Sequence, residues 1–327
     1  MTVERIILHV GTPKTGTTSL QTALVAQEEV LAKEGIRYLK SFRASVSHNR
    51  LIQMLNRGGE EAKKVRRKTL REIGQSEQST ILISTEIAYG IRPTKALMTL
   101  FEERYPGKAE IVFYVRRQDL FLEAMAKQKL KSGHYKGELD SFIAARKKNG
   151  FFMKYIKRVQ KNFPGTKITC RPYDRRELLN GDIVADFMSF LGVDYQPEAD
   201  EPKKSINVTP SKELAIALSL QEFASPYHRR STISEIHQRV PSLFRSKDIM
   251  DATERKAFLE EFRQDNRALS QFSGYDVEGL FNDTVDFEKE SNLITDATEQ
   301  KDIMQLATDT VRDVAFELHP AQKQAEG

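Results

Sequence analysis

The sequence predicts a three-layer α/β fold, with a central parallel sheet flanked by helices, followed by a mostly helical C-terminal part. Three observations carry this expectation. Four short apolar runs, RIILHV (5–10), TILIST (80–85), EIVFYV (110–115) and KITCRPY (167–173), have strand length and β-branched or aromatic content. Helix-like patterns separate them, the alternation of a parallel sheet covered on both faces. Beyond about residue 200 the strand signal fades and helical periodicity remains.

Taken in order, the first strand runs into a glycine-containing turn, and the helix TTSLQTALVAQEEVLAKEG follows it, stopped by Gly35 in the position of a C-terminal cap. Helical patterns at 94–104, 117–131, 138–149 and 151–162 flank the middle strands. Another amphipathic helix covers 182–193. The polar, proline-containing stretch EADEPKKSINVTPS (198–211) reads as a linker or a crossing over an active site. Helices at 211–224, 251–272 and 295–318 complete the chain, and PAQKQAEG at its end should fray. No internal repeat is present. The expected division is an α/β core over 1–200 and a helical extension over 201–327 that completes an acceptor side.

A chain of 327 residues, 39% hydrophobic and 30% charged, can bury a full core and has the balance of a soluble protein. No apolar run approaches the about 18 residues of a membrane span. With the first strand opening so early, no signal peptide is expected. The single cysteine, Cys170, suits a reducing compartment and reads as a buried strand residue. A cytoplasmic location is the expectation. Six scattered histidines give no zinc spacing, so no metal site is expected. Net charge +5 and pI ≈ 9.0 favour an anionic partner. The basic residues gather at 63–71, 146–148 and 227–230. The first of these is either a solvated helix face or a contact for an anionic surface. Nucleic acid is not expected, because no aromatic-interleaved RNA motif or zinc-finger spacing occurs.

The stretch RIILHVGTPKTGTTSLQTAL (5–24) carries the chemistry. A strand, a tight turn and a helix N-terminus converge backbone N–H groups and the positive end of the helix dipole on one point, which suits an anion. Gly11 and Gly16 keep the spacing of an ATP-type phosphate loop, so the fold is P-loop-like. Thr17 stands where that loop has its lysine, however, and Lys14 lies inside the turn. Pro13 stiffens the turn, and Thr15, Thr17, Thr18 and Ser19 crowd it with hydroxyls. The displaced lysine argues against a magnesium-dependent triphosphatase and for a metal-free reaction on a diphosphate-sized group. The structural alternative is a hydroxyl-capped helix after a tight turn.

PKTGTTSL (13–20) resembles the 5′-phosphosulfate loop of the sulfotransferases that use 3′-phosphoadenosine 5′-phosphosulfate (PAPS), with every fixed position of P-K-x-G-T-T-x-L present. The family's second motif places an arginine after a strand and a serine further along the next helix, both on the 3′-phosphate. IVFYVRRQDLFLEAMAKQ (111–128) supplies Arg116, with Arg117 beside it, while Ala124 stands at the serine position. The C-terminal R-K-G loop of the animal cytosolic enzymes is absent, and KKSINVTPS (203–211) occupies a comparable place. The resemblance implies that PAPS is the cosubstrate. It implies that Pro13, Lys14, Thr15, Gly16, Thr17, Thr18 and Ser19 hold its 5′ side, with Arg116 and Arg117 on the 3′-phosphate. Lys14 would stabilise the leaving group during in-line transfer to a carbohydrate or lipid-linked acceptor. The helical tail is reminiscent of bacterial members of the family.

Two residues compete for the role of base: Glu86, which ends the strand before the arginine strand, and His48 in RASVSHNRLIQML. Gln128, Lys129 and Asn207 are further candidates near nucleotide or acceptor, and His9 reads as a core residue. Two other functions remain open, a nucleotide or small-molecule kinase with a degenerate loop and a non-catalytic module that binds phosphorylated or sulfated partners.

Overall fold

Five short strands set the frame. In the computed structural model, which describes residues 2–12, 14–136, 139–195, 210–244, 249–283 and 297–319, they are β1 (Arg5–Val10), β2 (Ile36–Tyr38), β3 (Thr80–Thr85), β4 (Ala109–Val115) and β5 (Ile168–Pro172). They pair in parallel in the order β2-β3-β1-β4-β5. In register, Val10 lies beside Thr85 and His9 beside both Ser84 and Val112. The residues that leave β1, β3 and β4 therefore emerge along one carboxyl edge of the sheet, where ligands of open α/β sheets bind.

Helices cover both faces, as the alternation of strand and helix patterns predicts. On one side Ile7, Leu82, Val112 and Tyr114 share a core with Leu20 and Leu24 of α1 (Thr17–Ala26) and with Phe187 and Met188 of a later helix, Ile183–Leu191. On the other, Phe113 meets Tyr155 of the helix Phe152–Asn162 edge-on, ring centroids 5.4 Å apart. All seven β4 residues are buried, and 111–115 read accordingly as an unbroken apolar run, while Glu110 pairs with Arg5 and, at 3.3 Å, with Lys167. The remaining early helices are α2 (Glu28–Lys33), α3 (Asn49–Arg57), α4 (Gly59–Gly74) and α5 (Ile91–Glu102). They are followed by α6 (Gln118–Lys131), α7 (Leu139–Arg146), α8 (Phe152–Asn162) and α9 (Ile183–Leu191). The second half adds α10 (Lys212–Leu220), α11 (Pro226–Arg239), α12 (Ala252–Glu260), α13 (Arg263–Ser273) and α14 (Ala297–Leu318). The single helix expected over 251–272 is thus two, with Asp251 capping the first through a reciprocal box with Glu254.

The chain forms two compact units. The first comprises Met1–Arg117, Phe151–Ala199 and Arg263–Phe281, and holds the whole sheet. Within it α13 returns to pack against α8 and β5, and Asp265 accepts a hydrogen bond from the Met153 backbone at 3.2 Å. A polar tether fastens its last strand: Asp186 of α9 accepts two hydrogen bonds from Arg171 (both 2.8 Å) and one from the Tyr114 hydroxyl (2.6 Å). Arg171 and Tyr114 hold the Asp186 carboxyl below its usual range against the opposing effect of burial.

The second unit comprises Gln118–Gly150, Asp200–Phe262 and Asn282–Gly327. Leu214, Leu218, Ile233, Ile236, Val311 and Val314 form its apolar core. Beside that core lies a buried ion cluster. Arg255, 1% exposed, pairs with Asp119 and with Glu123, the latter at 2.9 Å. Glu123 also accepts from the backbone of Ile249 and Met250 at 3.1 and 3.0 Å. Among the described residues no helix is long and apolar enough to cross a membrane.

Candidate functional site

The turn after β1 is braced from within. The Gly11 N–H donates to the Thr85 carbonyl at 2.8 Å, extending the β1–β3 ladder by one residue. A Cβ at Gly11 would stand 2.5 Å from the Thr17 methyl group, so strand end and helix start approach to a distance only glycine permits. The Thr12 hydroxyl donates to the Tyr114 carbonyl on β4, and the Thr15 hydroxyl to the Thr12 carbonyl at 2.8 Å. Thr15 is buried and spends its hydroxyl on the turn itself. Pro13 lies outside the described residues.

Lys14 and Gly16 both have φ of 70°. Left-handed residues curl a turn so that successive N–H groups face one side, the geometry of an anion nest. Lys14 holds that conformation without being glycine, at a cost of about 1 kcal/mol. The crest is tied down at this point: the Arg116 guanidinium, at the end of β4, donates to the Lys14 carbonyl at 3.0 Å. Arg116 also lies over the Tyr173 ring, 5.9 Å from its centroid. Tyr173 in turn sits against Gly16, where a Cβ would be 3.2 Å from its ring.

Helix α1 starts without a cap of its own. Gly16 offers no side chain, and the first turn holds no acidic residue, so its leading N–H groups and the helix dipole remain to be met by a ligand or a distant group. A distant carboxylate, Glu86, meets the hydroxyls of that first turn. Its Oε1 accepts from the hydroxyl of Thr17 at 2.8 Å and from that of Thr18 at 3.4 Å. Asn49, at the start of α3, fixes the Glu86 backbone: its Oδ1 accepts from the Glu86 N–H at 3.0 Å and from the Thr85 hydroxyl at 2.9 Å. Thr18 and Ser19 are exposed on the first turn.

Lys14, Thr17, Thr18, Glu86 and Arg116 therefore gather around one helix end. Arg117 is 6% exposed and adds to the lowering of Asp174, whose carboxyl is held below its usual range first of all by hydrogen bonds from Arg176. His48 lies elsewhere in the hydrogen-bond scheme. It is fully buried, its Nε2–H donates to the Leu39 carbonyl at 2.7 Å, and its Nδ1 accepts from the Ser84 N–H at 3.2 Å. Burial pushes its pKa down to about 4. Both ring nitrogens are thus engaged in the backbone, with no proton capacity turned toward the turn. His9, buried on β1, bonds the Ser84 hydroxyl at 2.8 Å, and burial lowers it to about 3. Cys170 is buried and burial raises its thiol, so it is not a ready nucleophile. Gln128 and Lys129 are exposed on α6, and Asn207 lies outside the described residues.

Asn49 and Tyr173 escape the sequence reading. Asn49 had one usable signal, a polar residue opening a helical pattern next to the named His48. Tyr173 had none beyond its place as the last residue of the run 167–173.

No family model matches the chain. A curated protein of Archaeoglobus fulgidus, described as an uncharacterized protein, is 33% identical over 171 residues, which are 49% of this chain and 45% of that one. The match thus spans less than half of the relative's length. Among solved structures, a sulfotransferase from Alicyclobacillus acidocaldarius is 14% identical, with a TM-score of 0.44, over 83% of this chain and 96% of that one.

Proposed function

We propose that this protein transfers a sulfuryl group from PAPS to a hydroxyl or amine of a carbohydrate or lipid-linked acceptor. The observation that carries the reading is a lysine inside the turn, at the crest pinned by Arg116, ahead of an uncapped helix that opens with two threonines. Glycine at positions 11 and 16 lets the turn pack tightly against Thr17 and Tyr173, and that tight turn presents its amides to an anion.

In this reading Lys14 and the leading amides of α1 hold the 5′ side of the donor, with Thr17 and Thr18 donating to its phosphate. Arg116 and Arg117 take the 3′-phosphate. The acceptor oxygen forms the new O–S bond as the bond from sulfur to the 5′-phosphate oxygen breaks. The departing electron pair stays on that phosphate oxygen, where the Lys14 ammonium meets the charge. The acceptor proton passes to Glu86, whose carboxylate lies beside the turn and holds the Thr17 and Thr18 hydroxyls until the donor takes them. His48 is the weaker choice of base because its ring nitrogens are already occupied.

The basic run on α4 supports an anionic contact. Arg66 is committed to Glu103 at 2.8 Å, whereas Arg67, Arg71 and Arg104 line a cavity of about 480 Å³ and carry no ion pair among the described residues.

One observation favours the kinase reading: a threonine hydroxyl beside a carboxylate at the end of the neighbouring strand is also how phosphate loops support magnesium. Titration with adenosine 3′,5′-bisphosphate, and separately with ATP and magnesium, decides between them. Stabilisation by the bisphosphate without metal, together with turnover of PAPS, is the expected result. Stabilisation by ATP and magnesium alone would overturn it.

A further inference from the structure

The Thr17–Glu86 contact places a negative group where the proposed donor would bring its own. Thr17 is 5% exposed, and a buried hydroxyl needs an acceptor. Here that acceptor is Glu86, through the same oxygen that receives Thr18. A phosphate oxygen would satisfy both hydroxyls equally well, but two anions cannot share one helix end without repulsion. The carboxylate is also built to leave. Asn49 grips the Glu86 backbone N–H and not its side chain, so the carboxylate can swing away while the strand end stays in place. Nothing in the first turn of α1 would replace it, because that turn has no acidic residue and no side-chain cap.

Resting on the sulfuryl-transfer reading, we propose that Glu86 is a displaceable occupant of the donor site. Its carboxylate closes the start of α1 until the donor phosphate takes over Thr17 and Thr18, and that displacement releases Glu86 toward the acceptor. The donor must then bind before the base is available, which makes binding ordered and keeps the base off duty in the absence of donor. The same group weakens donor affinity as the condition of serving in catalysis.

The test is calorimetric titration of adenosine 3′,5′-bisphosphate into the full chain near neutral pH, for the wild type, Glu86→Gln, Glu86→Ala and Glu34→Gln. Glu34 is exposed and has no place in the site, so its variant controls for net charge. Melting curves confirm that each variant is folded. Both Glu86 variants should bind about tenfold more tightly than wild type, the scale of one close like-charge repulsion at a protein surface. Glu34→Gln should match wild type. If the wild type binds and the Glu86 variants bind equally or more weakly, Glu86 supports the donor and this inference falls while the donor reading stands. If no protein binds at millimolar bisphosphate, the donor reading falls first and takes the inference with it.

Discussion

The Arg116 guanidinium donates to the Lys14 main-chain carbonyl at 3.0 Å, so the arginine that ends β4 sets the shape of the turn that follows β1. Arg116 thereby has a structural task in addition to any contact with the donor. Arg116→Ala should weaken bisphosphate binding and also lower stability by about 1.5–3 kcal/mol, the range for a hydrogen bond from a charged group. Arg116→Lys should recover charge without the planar fork and restore only part of the binding. Titration and denaturant unfolding on the same samples read the two effects.

Lys14 combines a charge with a left-handed backbone, and two substitutions separate these. Lys14→Ala should cost about 2–4 kcal/mol of transition-state stabilisation. Lys14→Gly should lose the same activity yet be the more stable of the pair, since glycine adopts this φ without strain. Wild-type turnover in either variant would remove Lys14 from the mechanism.

His48 makes stability depend on pH. Its pKa falls from 6.5 to about 4 on folding, so between those values the unfolded chain binds a proton that the fold refuses. Stability is full above about pH 6.5 and falls as the medium is acidified toward pH 4, by up to about 3 kcal/mol. His9 adds a loss of the same sign, continuing to about pH 3. The carboxyls of Glu123 and Asp265, raised by burial, act in the opposite direction. The informative quantity is therefore the difference between wild type and His48→Gln in urea unfolding across pH 4–7, where the variant should show the shallower dependence. Turnover by His48→Gln, measured where it is folded, should persist; loss of activity without loss of fold would reinstate His48 as the base.

Arg255→Met should destabilise the full chain by about 3–5 kcal/mol, because Asp119 and Glu123 would remain buried without the guanidinium that pairs with both. Combining Arg255→Met with Asp119→Asn and Glu123→Gln in one chain should recover part of that loss, since the two carboxylates are then neutral while the neighbouring buried Lys127 keeps its charge. Thermal unfolding of the single and the triple variant is the measurement.

Much of the frame was legible because it is local. The runs at 5–10, 80–85 and 110–115 became β1, β3 and β4 with nearly the expected bounds, since burial on both faces demands mostly apolar strands. The edge strand β2 was not legible: three residues are too few to show a period. The break between α12 and α13 was hidden for a related reason, as both halves keep helical periodicity up to the junction.

The amino-acid order by itself determined that a glycine turn with an internal lysine would join a strand to a helix, because spacing along the chain suffices to build that turn. Only the tertiary structure decided that Glu86 would reach the Thr17 hydroxyl from 69 positions away, and that Arg116 would reach the Lys14 carbonyl from 102. It also decided that His48 would be absorbed into the backbone between β2 and β3. Strand order in the sheet brings these distant residues together, and a pairing between strands leaves no periodic trace in either partner's sequence.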